Sequence, residues 1–289
     1  MASESIRRFA SEQSAGFLRS LMLDAGHAAK SGGIEAVHDL RVSIRRFRQV
    51  LKVFRAWLPR NESHLLRHEM KEIMKHAGDV RDRDIAIALL RKIQAPANRR
   101  VVAEIHEQRG VSAHALQESL RDFRRRGSAA AWRRALKLVQ DSGKTSARDA
   151  ASNILPGMLK KYLRHGTQAS HHNASSKELH RFRIATKEIR YSVELFIPVF
   201  GAGAGVGTGG PIGELSKNLK KIQNHLGAIH DCTATAALIE DLKSPGRKNI
   251  LRAIGKRGEE KTDRFLRDYR RQFEDEDAVR RWKKALRHP

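Results

Sequence analysis

From Val37 to Leu58 the chain reads VHDLRVSIRRFRQVLKVFRAWL. Advanced at about 100° per residue, Leu40, Ile44, Phe47, Leu51, Phe54 and Leu58 gather on one face of a helix. His38, Arg41, Arg45, Arg48, Lys52 and Arg55 gather on a second, within roughly 100° of one another. Such a helix buries its apolar face and holds a row of cations beside it. Like charges four residues apart destabilise an isolated helix by a few tenths of a kcal/mol per pair. A row this long therefore calls for a polyanion to neutralise it.

The same periodicity runs through the whole chain, and no segment alternates with the period of a strand. It predicts a first helix over Ile6–Lys30, weakened at Gly16 and ended at Ser31-Gly32-Gly33, then the basic helix up to Pro59. Asn61 caps a third helix that stops at Ala77, with Gly78 as its C-terminal signal. Helices follow over Asp79–Ile93, broken at Ala95-Pro96, and over Ala97–Arg126 and Ser128–Gln140, before a break at Asp141-Ser142-Gly143. Ser146–Gln168 is the next, with Pro156-Gly157 as a weak point; a polar loop from His171 to Ser176 leads to Lys177–Phe200. After GAGAGVGTGG, a flexible linker over residues 201–210, come Ile212–Leu226, Ala228–Leu242, Arg247–Phe273 and a short tail helix.

The rhythm restarts because the sequence does. VHDLRVSIRRFRQVLKVF aligns without gaps on LHRFRIATKEIRYSVELF, so that His38, Arg41, Arg45 and Arg48 fall on His180, Arg183, Lys187 and Arg190. Farther on, KEIMKHAGDVRDRDIAIALL matches KKIQNHLGAIHDCTATAALI, with His76, Gly78 and Asp82 on His225, Gly227 and Asp231. This reads as a tandem duplication: one helical bundle over residues 1–142 and another over 143–289. Two similar bundles are expected to pack about a pseudo-two-fold axis, their basic rows facing one groove.

Charge narrows the function. Among 289 residues, 57 Lys and Arg stand against 32 Asp and Glu, a formal net charge of +25. That exceeds what solubility requires and implies an anionic partner. Aromatic residues are only 6% of the chain, which counts against a reader of single-stranded bases. The lone cysteine, Cys232, excludes an intrachain disulfide. No signal-peptide core opens the sequence and no long apolar run spans a membrane, so a soluble cytoplasmic protein is expected.

H-x-x-R-V-x-x-R-R-x-R in the first half, L-H-x-x-R-I-x-x-K-x-x-R-Y in the second and the G-x-x-x-D segment behind each resemble the CHAD domain, the conserved histidine α-helical domain. The resemblance covers essentially the whole chain. It implies an all-α fold of two antiparallel four-helix-type bundles around a basic central groove or pore. It further implies binding of long-chain inorganic polyphosphate, and association with polyphosphate granules, as in some members. Matched position by position, His38, Arg41, Arg45, Arg46 and Arg48 carry the first motif, and His180, Arg183, Lys187 and Arg190 the second. Lys52 extends the first row. Glu188 and Glu194 stand where the first half has Arg46 and Lys52, which leaves the second row less cationic. The E-x-E-x-K pattern of a triphosphate-tunnel domain is absent, as in stand-alone members.

Arginine forks grip unesterified phosphate oxygens in pairs and lysines add point charge, so both rows suit polyphosphate. Weaker rows, Arg67, Lys71 and Lys75 against Lys217, Lys220 and Lys221, are further candidates for the same ligand. His38 and His180 open each row and are expected to donate to phosphate oxygens rather than act as catalysts or metal ligands. Asp82 and Asp231 read as structural, capping a helix or orienting an arginine of the row. No catalytic residue, metal or cofactor is expected. Nucleic acid is the secondary partner, and a metal-dependent phosphohydrolase built on His38 or His180 is the third reading. Gly205, Gly207 and Gly210 spell a dinucleotide-loop pattern without a preceding strand, Ser142–Thr145 lacks the first glycine of a P-loop, and His165, His171 and His172 make a poor zinc set.

Overall fold

The computed structural model describes residues 4–93, 98–138, 145–171, 174–200, 210–242 and 246–288. Most of the linker over 201–210, the breaks at 95–96 and 141–143, and His172 lie outside them. The described chain is all-helical, in the order α1 (Ile6–Ser31), α2 (Ile34–Val53), α3 (Arg60–Leu90), α4 (Asn98–Arg126), α5 (Ser128–Lys137), α6 (Ala147–Ala169), α7 (Ser176–Phe196), α8 (Pro211–Glu240), α9 (Arg247–Phe273) and α10 (Glu276–Arg287). A single 3-10 turn, Ile197–Val199, follows α7, where Pro198 denies the helix a further amide donor. Among the described residues no helix is long and apolar enough to cross a membrane.

Several helices run longer than their sequence signals. α3 passes through Gly78, and α8 passes through Gly227, so each is one helix where the glycines predicted two. A glycine inside a helix costs only about 1 kcal/mol relative to alanine, which tertiary packing outweighs. α1 and α6, predicted as single helices, continue through their weak points at Gly16 and Pro156. α2 instead ends early, at Val53, and Phe54–Trp57 form a turn, so Arg55 lies beyond the helix. Gly127, at φ 68°, occupies the left-handed region that lets α4 turn directly into α5.

Two compact units organise these helices. One comprises Ala10–Gln140 and His230–Gly258. In it α3 packs against α2, α4 and α5. Phe47 of α2 meets Trp132 of α5 edge-on, with ring centroids 5.5 Å apart, and the Trp132 indole donates to Ser63 Oγ at 3.0 Å. Farther along α3, Ala86, Ile87 and Leu90 join Val101 and Ile105 of α4, Ile239 of α8, and Ile250 and Ile254 of α9 in a buried aliphatic cluster. A buried ion pair, Arg109 Nε to Asp84 Oδ1 at 3.0 Å, ties α4 to α3, and the same guanidinium donates to the Gly32 carbonyl after α1.

The other unit comprises Met1–Phe9, Asp141–Ile229 and Glu259–Pro289. Its core is aromatic. Tyr162 of α6, Phe182 of α7, Phe265, Tyr269 and Phe273 of α9 and Trp282 of α10 form a chain of ring contacts with centroids 5.0–6.1 Å apart. Gly166 admits the Tyr269 ring so closely that any Cβ there would overlap it. Two serines start its helices: Ser146 and Ser175 form reciprocal capping boxes with Asp149 and Glu178. These bonds hold both carboxyls below the ordinary carboxylate range. Just before α6, residues 4–6 lie alongside 145–147, with Ile6 N–H donating to the Thr145 carbonyl at 3.0 Å and Ala147 N–H to that of Glu4 at 2.9 Å.

Candidate polyanion-binding rows

In the unit built on α2 and α3, the environment of the residues predicted as a row changes along α2. His38, Arg41 and Arg45 are half-buried, whereas Arg48 and Lys52 are exposed. Arg46 is exposed too, but one residue on from Arg45 it points roughly 100° away from the row. Arg45 is held along its own helix, its Nε donating to the Arg41 carbonyl at 3.0 Å.

Gly78 explains how Arg41 is placed. A Cβ built on Gly78 would stand 3.1 Å from Arg41 Nη1, closer than an ordinary van der Waals contact. The glycine therefore makes room for the guanidinium against the α3 backbone, a reason of packing that its reading as a helix stop did not contain. Asp82, one turn further along the same face, sits inside α3 and so is not at a helix end. Arg67, Lys71 and Lys75 share that face with Gly78, within about 80° at helical spacing.

One residue escaped the sequence reading. Arg81 faces His38, and its positive charge, after burial itself, is the largest cause of a His38 pKa held below its usual 6.5. Glu35 and Asp39 act in the opposite sense and Arg45 in the same one. The signal was present in the spacing: Arg81 follows Gly78 by one helical turn, but only if the helix continues through the glycine. Arg41 at Gly78 and His38 at Arg81 set an antiparallel register for α2 on α3. Continued along the pair, it brings Arg45 level with Lys75, Arg48 with Lys71 and Lys52 with Arg67. Two rows of cations thus run side by side.

In the unit built on α7, the aligned residues behave differently. His180 is exposed, and Arg183, Lys187 and Arg190 are half-buried. Like Arg41, Arg183 has its Nε buried. Arg190 is engaged by protein: its Nε donates to Gln223 Oε1 of α8 at 2.8 Å, its Nη1 to Glu194 Oε1 at 2.5 Å, and its guanidinium lies 4.5 Å over the Tyr191 ring. Glu188, the other acidic departure from the motif, pairs with Lys161 of α6 at 3.2 Å. Both glutamates are therefore spent on cations of the same unit. Gly227 meets nothing within 4 Å of a built Cβ, so no guanidinium leans on it as Arg41 does on Gly78.

On α8, Lys217 and Lys220 are exposed. Lys221 is tied to Asp268 of α9 at 2.9 Å, a carboxylate that also meets His225 at 2.7 Å and Arg271 at 3.2 Å. Burial alone would raise the Asp268 pKa, but the hydrogen bonds from Lys221 and His225 hold it below the usual range. Lys217 and Lys221 line a cavity of about 410 Å³ with Asn218, Arg271 and Gln272, to which Glu214 and Asp275 add negative charge. Among the described residues no group of three or more His, Cys, Asp or Glu could hold a metal ion.

These features define an all-helical protein that displays a histidine-led row of cations on one helix of a pair. The CHAD domain family model matches residues 19–240, and the chain belongs to that family. The crystal structure of the CHAD domain from the plant Ricinus communis is similar over 100% of this chain and 94% of its own, with a TM-score of 0.71 at 22% identity. PptA from Streptomyces chartreusis is similar over 95% of this chain and 98% of its own, with a TM-score of 0.54 at 14% identity. At these identities the likeness is one of fold. Comparison with curated proteins finds no match.

Proposed function

We propose that the protein binds long-chain inorganic polyphosphate without transforming it. The observation that carries the reading is the packing of α2 on α3 with Arg41 against Gly78, a register that, continued along both helices, sets His38, Arg41, Arg45, Arg48 and Lys52 beside Arg67, Lys71 and Lys75. A linear anion with a charge on every unit and no bases neutralises such a double row along its length, and arginine forks suit its unesterified oxygens. On α7 and α8, His180, Arg183, Lys187, Lys217 and Lys220 add a second and weaker contact, since Arg190 and Lys221 already have acidic partners. Membership in the CHAD family supports the same ligand, with the cytoplasm and its polyphosphate granules as the place of action.

A competition titration tests this. Labelled long-chain polyphosphate is bound at about 0.15 M salt and challenged with duplex DNA, RNA, ATP and triphosphate. Only long polyphosphate should displace it. Equal displacement by DNA or RNA would show a general polyanion binder, the reading that net charge alone supports. Arg41→Ala combined with Arg183→Ala should weaken binding about tenfold or more, whereas Arg99→Ala with Arg100→Ala on α4 should barely matter. Equal losses would sink the assignment of the rows. No orthophosphate should be released with or without a divalent metal.

A further inference from the structure

α3 has two charged faces of opposite sign. Roughly 150° around the helix from the row of Gly78, Glu69, Glu72 and His76 look onto α4, where Glu118 and Asp122 face them across a cavity of about 380 Å³. Arg126 is the one guanidinium on its wall, so the cavity is anionic within a chain of net charge +25. Glu118 and Asp122 have partners along α4, His114 at 3.7 Å and Arg125, but all four side chains are solvent-exposed, where such pairs contribute little.

Glu69 is different. It is only 4% exposed. Its Oε1 accepts from the Ser128 hydroxyl at 2.9 Å and stands 3.6 Å from Arg126 Nη1, while Oε2 is buried with no hydrogen-bond partner. A buried carboxylate oxygen left in this state favours any donor that reaches it. The remaining walls, Ile73, Ala115 and Phe123, are apolar. The carboxylates are spread along the cavity rather than converging as a metal ion requires, and no such group exists among the described residues. A cation whose charges are spread along an aliphatic stem fits both the spacing and the walls.

We propose that this cavity binds an aliphatic di- or polyamine. One ammonium group donates to Glu69 and Glu72, the methylenes lie on Ile73 and Phe123, and a second ammonium meets Glu118 and Asp122. The site is independent of the cationic rows.

Calorimetric titration of the whole protein, free of polyphosphate, with spermidine at about 0.15 M NaCl tests the assignment. Saturable binding is expected, weakened about tenfold or more by Glu72→Gln with Glu118→Gln. Those two exposed carboxylates can be neutralised without disturbing the fold. Glu69→Gln should weaken it comparably; should that variant fail to fold, the surface pair still decides. Magnesium ion at matched charge should not displace spermidine. Absence of saturable binding, unchanged affinity in the surface variant, or displacement by magnesium would each overturn the proposal.

Discussion

Gly78 and His38 show how much of this protein's chemistry is settled by single positions. Gly78→Ala should stabilise α3 by up to about 1 kcal/mol, since alanine is the better helix former. It should also push Arg41 out of place by a few tenths of an ångström or more, because the guanidinium is the flexible partner in that contact. A variant with a higher denaturation midpoint and weaker polyphosphate binding is therefore expected, and a variant that gains stability with unchanged affinity would refute the contact's role. His38 titrates against its surroundings. Burial, then Arg81, lowers its pKa, so as pH falls below 6.5 the unfolded chain takes up this proton before the folded one. Its contribution to stability is complete above that value and is lost as pH falls through the lowered folded pKa. A bound polyanion offsets Arg81 and Arg45 and draws the proton on. Affinity should thus rise as pH falls through 6.5 and below, and His38→Gln should flatten that rise.

At the scale of the helix, the two motif-bearing elements differ in what neutralises them. On α2 the position after Arg48 by one turn is Lys52; on α7 the position after Arg190 is Glu194, and it holds the arginine. Glu194→Lys should free Arg190 and add a cation. The logarithm of affinity for polyphosphate should then fall more steeply with the logarithm of salt, the slope growing by roughly one to two charges by analogy with nucleic-acid backbones. An unchanged slope would mean that this end of α7 does not meet the ligand. The acidic departures were legible in the sequence as residues, but not their partners: nothing in the spacing says that Lys161 answers Glu188 or that Gln223 answers Arg190. The helices themselves were legible, because burial follows the 3.6-residue period almost everywhere. Gly78 and Gly227 misled for a physical reason. A glycine reads as a stop when only local propensity is weighed, whereas at Gly78 a neighbouring guanidinium needs the missing side chain. The same misreading hid Arg81, which joins the row only on an unbroken α3.

For the molecule as a whole, all-helical architecture followed from periodicity, but the division into units did not, because it depends on contacts distant in sequence. Residues 4–9 belong with 141–229 and 259–289, and Ala10–Gln140 is joined by His230–Gly258. The aromatic core of the former unit is closed by Trp282, fully buried against Phe273. Trp282→Ala should cost about 3–5 kcal/mol, read from urea denaturation, and a loss below about 1 kcal/mol would show that α10 is not needed to seal that core. The pairing of residues 4–6 with 145–147 has a consequence for synthesis. Residues 4–6 meet 145–147 only after α2–α5 have been made between them, and the rings of α6 and α7 wait longer still for those of α9 and α10. Such late, non-local closure is slow and leaves apolar surface open meanwhile. Nascent chains stalled before α10 should therefore be protected from protease around α3 and α4 well before they are protected around α6 and α7.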